Sequence, residues 1–182
     1  MVHLMSTAHR YLPNYTVEDY QQWQGDWELW QGIPVSMTPS PFGRHQKVAA
    51  RLLTMLQNGI DATQCDAVVL AEIDWIVSAD TVVRPDLVVL CGAVPARHVE
   101  NAPAIIAEVL SPATAQRDQT VKFHLYQDEG VQYYLMLDPE KNVLKAFALD
   151  DGVYCEQKLS DELVLDICGQ CSLRLPIASL FG

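Results

Sequence analysis

Two carboxylates each interrupt an apolar run. In Val82-Val83-Arg84-Pro85-Asp86-Leu87-Val88-Val89-Leu90, an Asp sits among β-branched residues that read as buried strand. In Ile105-Ile106-Ala107-Glu108-Val109-Leu110-Ser111, a Glu lies near the C-terminal end of a second such strand. An isolated buried charge is very costly, so each carboxylate calls for an ion pair, hydrogen bonds or a metal. Glu is rare inside an apolar strand without a partner. The turn-rich stretch between them leaves room for the two strands to be neighbours. The plainer alternatives are a Pro85-Asp86 turn ahead of the strand and a Glu at a sheet rim. Downstream, Asp118, Lys122 and Tyr126 recur at i, i+4 and i+8 and fall on nearly one line of a helix. Alone, that spacing describes an ordinary surface pair worth a few tenths of a kcal/mol. Because the helix directly follows the Glu108 strand, its first turns are expected to stand over that strand's end.

Two strand-end carboxylates and a nearby ammonium suit metal-assisted phosphodiester hydrolysis. Mg²⁺ binds hard oxygens, commonly through one or two carboxylates plus waters and substrate phosphate. The metal polarises the phosphoryl oxygen and makes water a better nucleophile. A lysine can orient or deprotonate that water, or neutralise charge on the phosphate. Arg44, Lys47 and Arg51, three and four apart, line one flank of a helix; they are either a solvated face or a set of phosphate contacts.

The elements that must position these groups follow from the pattern. Thr16-Val17-Glu18-Asp19 reads as a capped helix start leading to about Gln22. Residues Trp27–Trp30 and Ile33–Met37 flank Gln31-Gly32 as a small hairpin, with Pro34 confined to an edge. Ser40-Pro41-Phe42-Gly43 introduces a helix to about Ile60, whose apolar stripe is Val48, Leu52, Met55, Leu56 and Ile60. Strands are expected at Val68–Leu70, Asp74–Val77, Val82–Leu90 and Ala104–Leu110. A helix from Thr114 to Glu129, stopped by Gly130, comes next. Five further strands follow, at Gln132–Leu137, Val143–Ala148, Val153–Gln157, Leu163–Ile167 and Ser172–Leu175. This order predicts an α+β (mixed α/β) fold, one domain over residues 1–182 with a mixed central sheet flanked by helices.

Composition narrows the function. The 182 residues are 49% apolar and 19% charged, which excludes disorder and fibrous repeats. The apolar runs are too short to cross a bilayer, and Met1–Arg10 lacks the pattern of a secretory signal, so a cytoplasmic protein is expected. Twelve Lys and Arg face 23 Asp and Glu, a net charge of −11, which argues against a bulk electrostatic binder of nucleic acid. The net charge is −3 over residues 1–43, −2 over 44–122 and −6 over 123–182, so an anionic polymer would best approach the middle segment. Bound divalent ions would reverse the local field, and net acidity does not exclude a nucleic-acid substrate. Five cysteines, an odd number with no export signal, read as reduced thiols, and Cys168-Gly-Gln-Cys171 as turn or core thiols rather than a zinc or redox site.

Taken together, several short motifs resemble the Uma-type family of endonucleases, within the restriction-endonuclease-like or PD-(D/E)XK superfamily. They are Tyr15-Thr16-x-Glu18-Asp19-Tyr20, Trp27-Glu28-Leu29-x-x-Gly32, Ser40-Pro41-x-x-Arg44-His45-Gln46, Arg84-Pro85-Asp86-Leu87, Glu108-Val109-Leu110-Ser111-Pro112-x-Thr114, Asp118-x-x-x-Lys122, Tyr126 and Gly130-Val131-x-x-Tyr134. The resemblance covers nearly the whole chain in the right order. It implies that Pro85-Asp86 stands for the PD and Glu108 for the (D/E), with Mg²⁺ or Mn²⁺ held by Asp86 and Glu108. Position 110 is Leu where the superfamily places its lysine, and Lys122 is the replacement. The resemblance further implies Glu28 as the additional acid, His45 lining the cleft, Asp118 as a partner of Lys122 and Tyr126 in support. Nucleic acid, DNA for preference, is the implied partner, its backbone on Arg44, Lys47 and Arg51, and the protein is expected to be a homodimer. A non-catalytic nucleic-acid-binding or regulatory module on the same fold is the alternative. An interaction protein using Trp23, Trp27 and Trp30 is a further one. No G-x-S-x-G, P-loop or G-x-G-x-x-G occurs, and His3, His9, His45, His98 and His124 show no zinc spacing.

Overall fold

A computed structural model describes residues 13–37, 42–112, 115–169 and 171–182. The helix-opening residues Ser40, Pro41 and Thr114 lie outside them, as does Met1–Arg10. Helix α1 (Val17–Tyr20) is held by a capping box: the Thr16 side chain accepts from the Asp19 N–H, and the Asp19 side chain accepts from the Thr16 N–H. Strands β1 (Trp27–Trp30) and β2 (Ile33–Ser36) form the expected hairpin, with Pro34 on an edge strand. Its turn carries φ of 48° at Gln31 and 78° at Gly32. A Cβ at Gly32 would come within 2.5 Å of Asn14 Oδ1, so the tight turn requires glycine there.

The chain divides its strands between a small and a large sheet. The small sheet has the order β2-β1-β5-β4, with β4 at Trp75–Ser78 and β5 at Thr81–Val83. The large sheet has the order β10-β9-β8-β7-β6-β3. Its strands are β3 (Ala67–Ala71), β6 (Leu87–Cys91), β7 (Ile105–Val109), β8 (Tyr133–Asp138), β9 (Val143–Asp150) and β10 (Val153–Glu156). Only β7 and β8 among these pair in parallel. A hairpin of β11 (Glu162–Ile167) and β12 (Cys171–Pro176) follows, then α5 (Ala178–Phe181), which the sequence did not announce.

The continuous strand expected over Val82–Leu90 is corrected. It breaks at Arg84-Pro85-Asp86, where the chain leaves the small sheet after Val83 and enters the large one at Leu87. Pro85 has no N–H to give to a ladder, and the turn reading of Pro85-Asp86 is the one the backbone follows. The helix expected over Thr114–Glu129 is also divided, into α3 (Ala115–Arg117), a π-helical stretch (Asp118–Lys122) and α4 (Phe123–Asp128).

Helix α2 (Gly43–Thr63) buries Val48, Leu52, Leu56 and Ile60 against one face of the large sheet and the β11–β12 hairpin. That core takes alternate sheet residues, among them Leu87, Val89, Ile105, Ala107 and Val109. The opposite face carries Val88, Ile106, Tyr134, Met136, Phe147 and Tyr154, packed with Trp75 of the small sheet and Tyr126 of α4. Helices therefore cover both faces of a mixed sheet, as expected for the fold class.

The cysteines do not follow their reading as reduced thiols. Cys65–Cys171 and Cys91–Cys168 are disulfides, with Cα atoms 5.6 and 5.5 Å apart, and Cys155 is free and exposed. Long-range pairing brings them together. Antiparallel β3–β6 sets Cys91 opposite Ala67, two residues after Cys65, and the β11–β12 turn delivers Cys168 and Cys171 to the same place. Among the described residues, no helix is long and apolar enough to cross a membrane.

Candidate active site

The antiparallel register of β6 and β7 places Leu87 opposite Ala107, and so brings Asp86, just ahead of β6, to the end of β7 that carries Glu108. The Asp86 N–H donates to Glu108 Oε2 at 3.4 Å, and the Val109 N–H donates to Asp86 Oδ2 at 2.7 Å. All five residues of β7 are buried. Glu108 points to the aromatic face of the sheet, where burial pushes its carboxyl well above the usual range against the opposing charge of Lys122.

Three elements complete the cluster around it. Lys122 Nζ lies 2.9 Å from Glu108 Oε1 and 3.0 Å from Glu28 Oε1, and 3.9 Å from Asp118 Oδ1. The Tyr126 hydroxyl donates to Glu108 Oε1 at 2.7 Å. The π-helical stretch widens the backbone at Asp118–Lys122, and Lys122 and Tyr126 converge on one carboxylate oxygen. Glu28 comes from β1 and is anchored by the Arg84 N–H at 2.8 Å and the Trp30 indole N–H at 3.1 Å. Glu28, Glu108, Asp118 and Lys122 are all buried. Burial works against the Lys122 ammonium, yet Glu108, Glu28 and Asp118 together hold its pKa well above the ordinary lysine value. These three carboxylates therefore favour the ammonium form of Lys122. Burial and the Glu108 charge likewise raise Tyr126.

His45, in the first turn of α2, is buried with Nε2 3.1 Å from Asp86 Oδ2. Its Nδ1 is buried with no hydrogen-bond partner among the described residues. Burial disfavours the imidazolium, but the bond and charge of Asp86 outweigh it and raise the His45 pKa above its ordinary value.

A cleft of about 60 Å³ opens on these groups. It is lined by Glu28, His45, Asp86, Glu108, Asp118 and Lys122, all chosen from the sequence. Arg84, Arg117 and Met37 also line it and were not chosen. Arg84 adjoined Pro85-Asp86 and Arg117 adjoined Asp118, but nothing in their spacing marked them. Arg44, Lys47 and Arg51 are not among the cleft residues. Arg44 pairs with Glu140 at 3.1 Å on the surface, and with Lys47 it edges a separate hollow of about 250 Å³.

For a divalent cation, Asp86 and Glu108 provide hard oxygen donors of the kind Mg²⁺ shares with water and phosphate. Asp86 Oδ2 and Glu108 Oε1 are taken up by protein donors, whereas Asp86 Oδ1 accepts no hydrogen bond among the described residues and Glu108 Oε2 only the long one. Among the described residues no three His, Cys, Asp or Glu side chains form a metal-holding group. A cation held by these two carboxylates would have to complete its shell with water and substrate.

A family model described as Uma2, "Putative restriction endonuclease", matches residues 17–177. An uncharacterized protein of Synechocystis, slr1290, is 26% identical over 178 residues, covering 92% of this chain and 87% of its own length. The crystal structure of a protein from Anabaena variabilis, described as a "putative nuclease belonging to DUF820", superposes with a TM-score of 0.74 at 19% identity. That match covers 92% of this chain and 97% of the other. At that identity the likeness establishes the shared fold.

Proposed function

The chain belongs to the Uma2 family, and from that premise we propose that it hydrolyses phosphodiester bonds of nucleic acid, DNA for preference. Asp86 and Glu108 would hold Mg²⁺ or Mn²⁺, which supplies Lewis-acid polarisation of the phosphoryl oxygen and a more acidic bound water. The observation that carries this reading is the convergence of Asp86, Glu108 and Lys122 from a link, a strand and a helix onto one cleft. Lys122 contributes a permanent charge that offsets the carboxylates and stabilises negative charge growing on the phosphate. Tyr126 and Glu28 hold Glu108 and Lys122 in place. His45 holds the Asp86 carboxylate through Nε2 and, when protonated, sets a positive charge beside it.

The test is nicking of plasmid DNA with Mg²⁺ or Mn²⁺ by the wild type, Asp86→Asn and Glu108→Gln. Cleavage by the wild type and loss of it in both variants is expected. Equal cleavage by all three refutes the assignment.

The second reading, a nucleic-acid-binding module without catalysis, draws on one observation. The Lys122 ammonium is enclosed between two carboxylates rather than directed at open space. DNA binding without cleavage under any divalent ion would favour it. Homodimer formation is also part of the proposal, and sedimentation of the intact chain as a monomer would remove it.

A further inference from the structure

We propose that Arg117 is the residue that grips the phosphodiester in the cleft, pairing its guanidinium with non-bridging phosphate oxygens. The inference rests on the nuclease reading above and adds the group that receives the substrate. The cleft presents four carboxylates, Glu28, Asp86, Glu108 and Asp118, to an anionic ligand. Something must attract that ligand against them. Two of the cleft's three Lys and Arg side chains are already committed. Lys122 is shared by Glu108, Glu28 and Asp118. Arg84 is turned to the small sheet, with Nε 2.7 Å from Asp74 Oδ1, Nη1 3.1 Å from Asp26 Oδ1 and Nη2 3.4 Å from the Tyr20 hydroxyl.

Arg117 differs from both. It is half-buried on α3, immediately before Asp118, and makes no ion pair among the described residues. Its one hydrogen bond among them is a long one, from Nη1 to the Ser36 carbonyl at 3.4 Å. Guanidinium offers five N–H donors and stays charged at every accessible pH, so most of its bonding capacity is unspent on the described residues. A partly desolvated cation at a cleft wall is stabilised when an anion completes its shell. The planar fork matches two phosphate oxygens at once, which a lysine cannot reproduce.

The experiment measures anisotropy of a fluorescein-labelled DNA duplex, in EDTA, across a series of salt concentrations. The proteins compared are the wild type, Arg117→Gln, Arg117→Lys and, as a control on the distant hairpin, Arg174→Ala. Arg117→Gln should bind about tenfold more weakly, and its log K against log salt should be shallower by about 0.9, the loss of one phosphate contact. Arg117→Lys should keep the slope and lose part of the affinity, and Arg174→Ala should match the wild type. Thermal melting of both Arg117 variants should stay close to the wild-type midpoint, since among the described residues Arg117 gives up one long hydrogen bond and no ion pair. If the wild type cleaves DNA while Arg117→Gln binds with unchanged affinity and slope, this inference falls and the nuclease reading stands. If the wild type neither binds nor cleaves, both fall together.

Discussion

The two ends of α2 are fastened in opposite ways. At its start, His45 meets Asp86 beside a cluster of buried ions. Past its end, Cys65 is covalently tied to Cys171, and Cys91, at the far end of the strand that Asp86 introduces, is tied to Cys168. One end is held by charges that respond to protons and salt; the other by bonds that respond to reductant. The contrast separates what a site needs from what a scaffold needs. Groups that must release one another to take up a ligand are joined by hydrogen bonds, and the hairpin that only has to stay put is stapled.

The largest effect should come from breaking the staples. Reducing both disulfides is expected to lower stability by about 2–4 kcal/mol each. The bridges are nested: with Cys91–Cys168 closed, the second closes a path of about 29 residues, the difference between the two separations, not the full 106. Denaturant titration with and without reductant measures the loss. An unchanged midpoint would mean the crosslinks contribute nothing and the hairpin is held by its apolar face alone.

Next comes the ionic end. Lys122→Ala leaves Glu28, Glu108 and Asp118 buried without their shared cation, and a broken buried pair costs about 3–5 kcal/mol. Lost activity in that variant is therefore expected together with lost stability. Lys122→Ala as stable as the wild type would show that the cluster is not what holds this end.

A smaller, pH-dependent effect is expected at His45. The folded protein binds the His45 proton more tightly than the unfolded chain does. The pair therefore adds stability below the ordinary value of 6.5 and loses it as pH rises through the higher folded value. Without divalent ions, the melting points of wild type and His45→Gln should differ most at acidic pH and converge above that value. A constant gap would assign His45 to packing. Least of all, Arg44→Ala should leave stability within about 0.5 kcal/mol, because the Arg44–Glu140 pair is exposed on both sides.

The sequence showed most of the scaffold, because period-2 and helical patterns report burial directly. It also marked Asp86 and Glu108, because a carboxylate in an apolar run contradicts its surroundings, whereas Asp118 came from helical spacing and Glu28 from the family resemblance. The break at Arg84-Pro85-Asp86 was harder. Val82-Val83 and Leu87–Leu90 look like one strand because both halves are buried, though in different sheets. The π-helical stretch left no trace, since Asp118, Lys122 and Tyr126 fit an ordinary helix equally well. The disulfides were hidden for a third reason: sheet register, not spacing along the chain, brings the four sulfurs together, and the odd count comes from Cys155 alone.

The passage from small sheet to large takes three residues, one of them a proline with a fixed φ, and Glu28 bonds to the backbone of the first. Such a short strap leaves little slack for the two sheets to part. The mouth of the cleft thus has a nearly preset gape, and whatever enters it must conform to that opening.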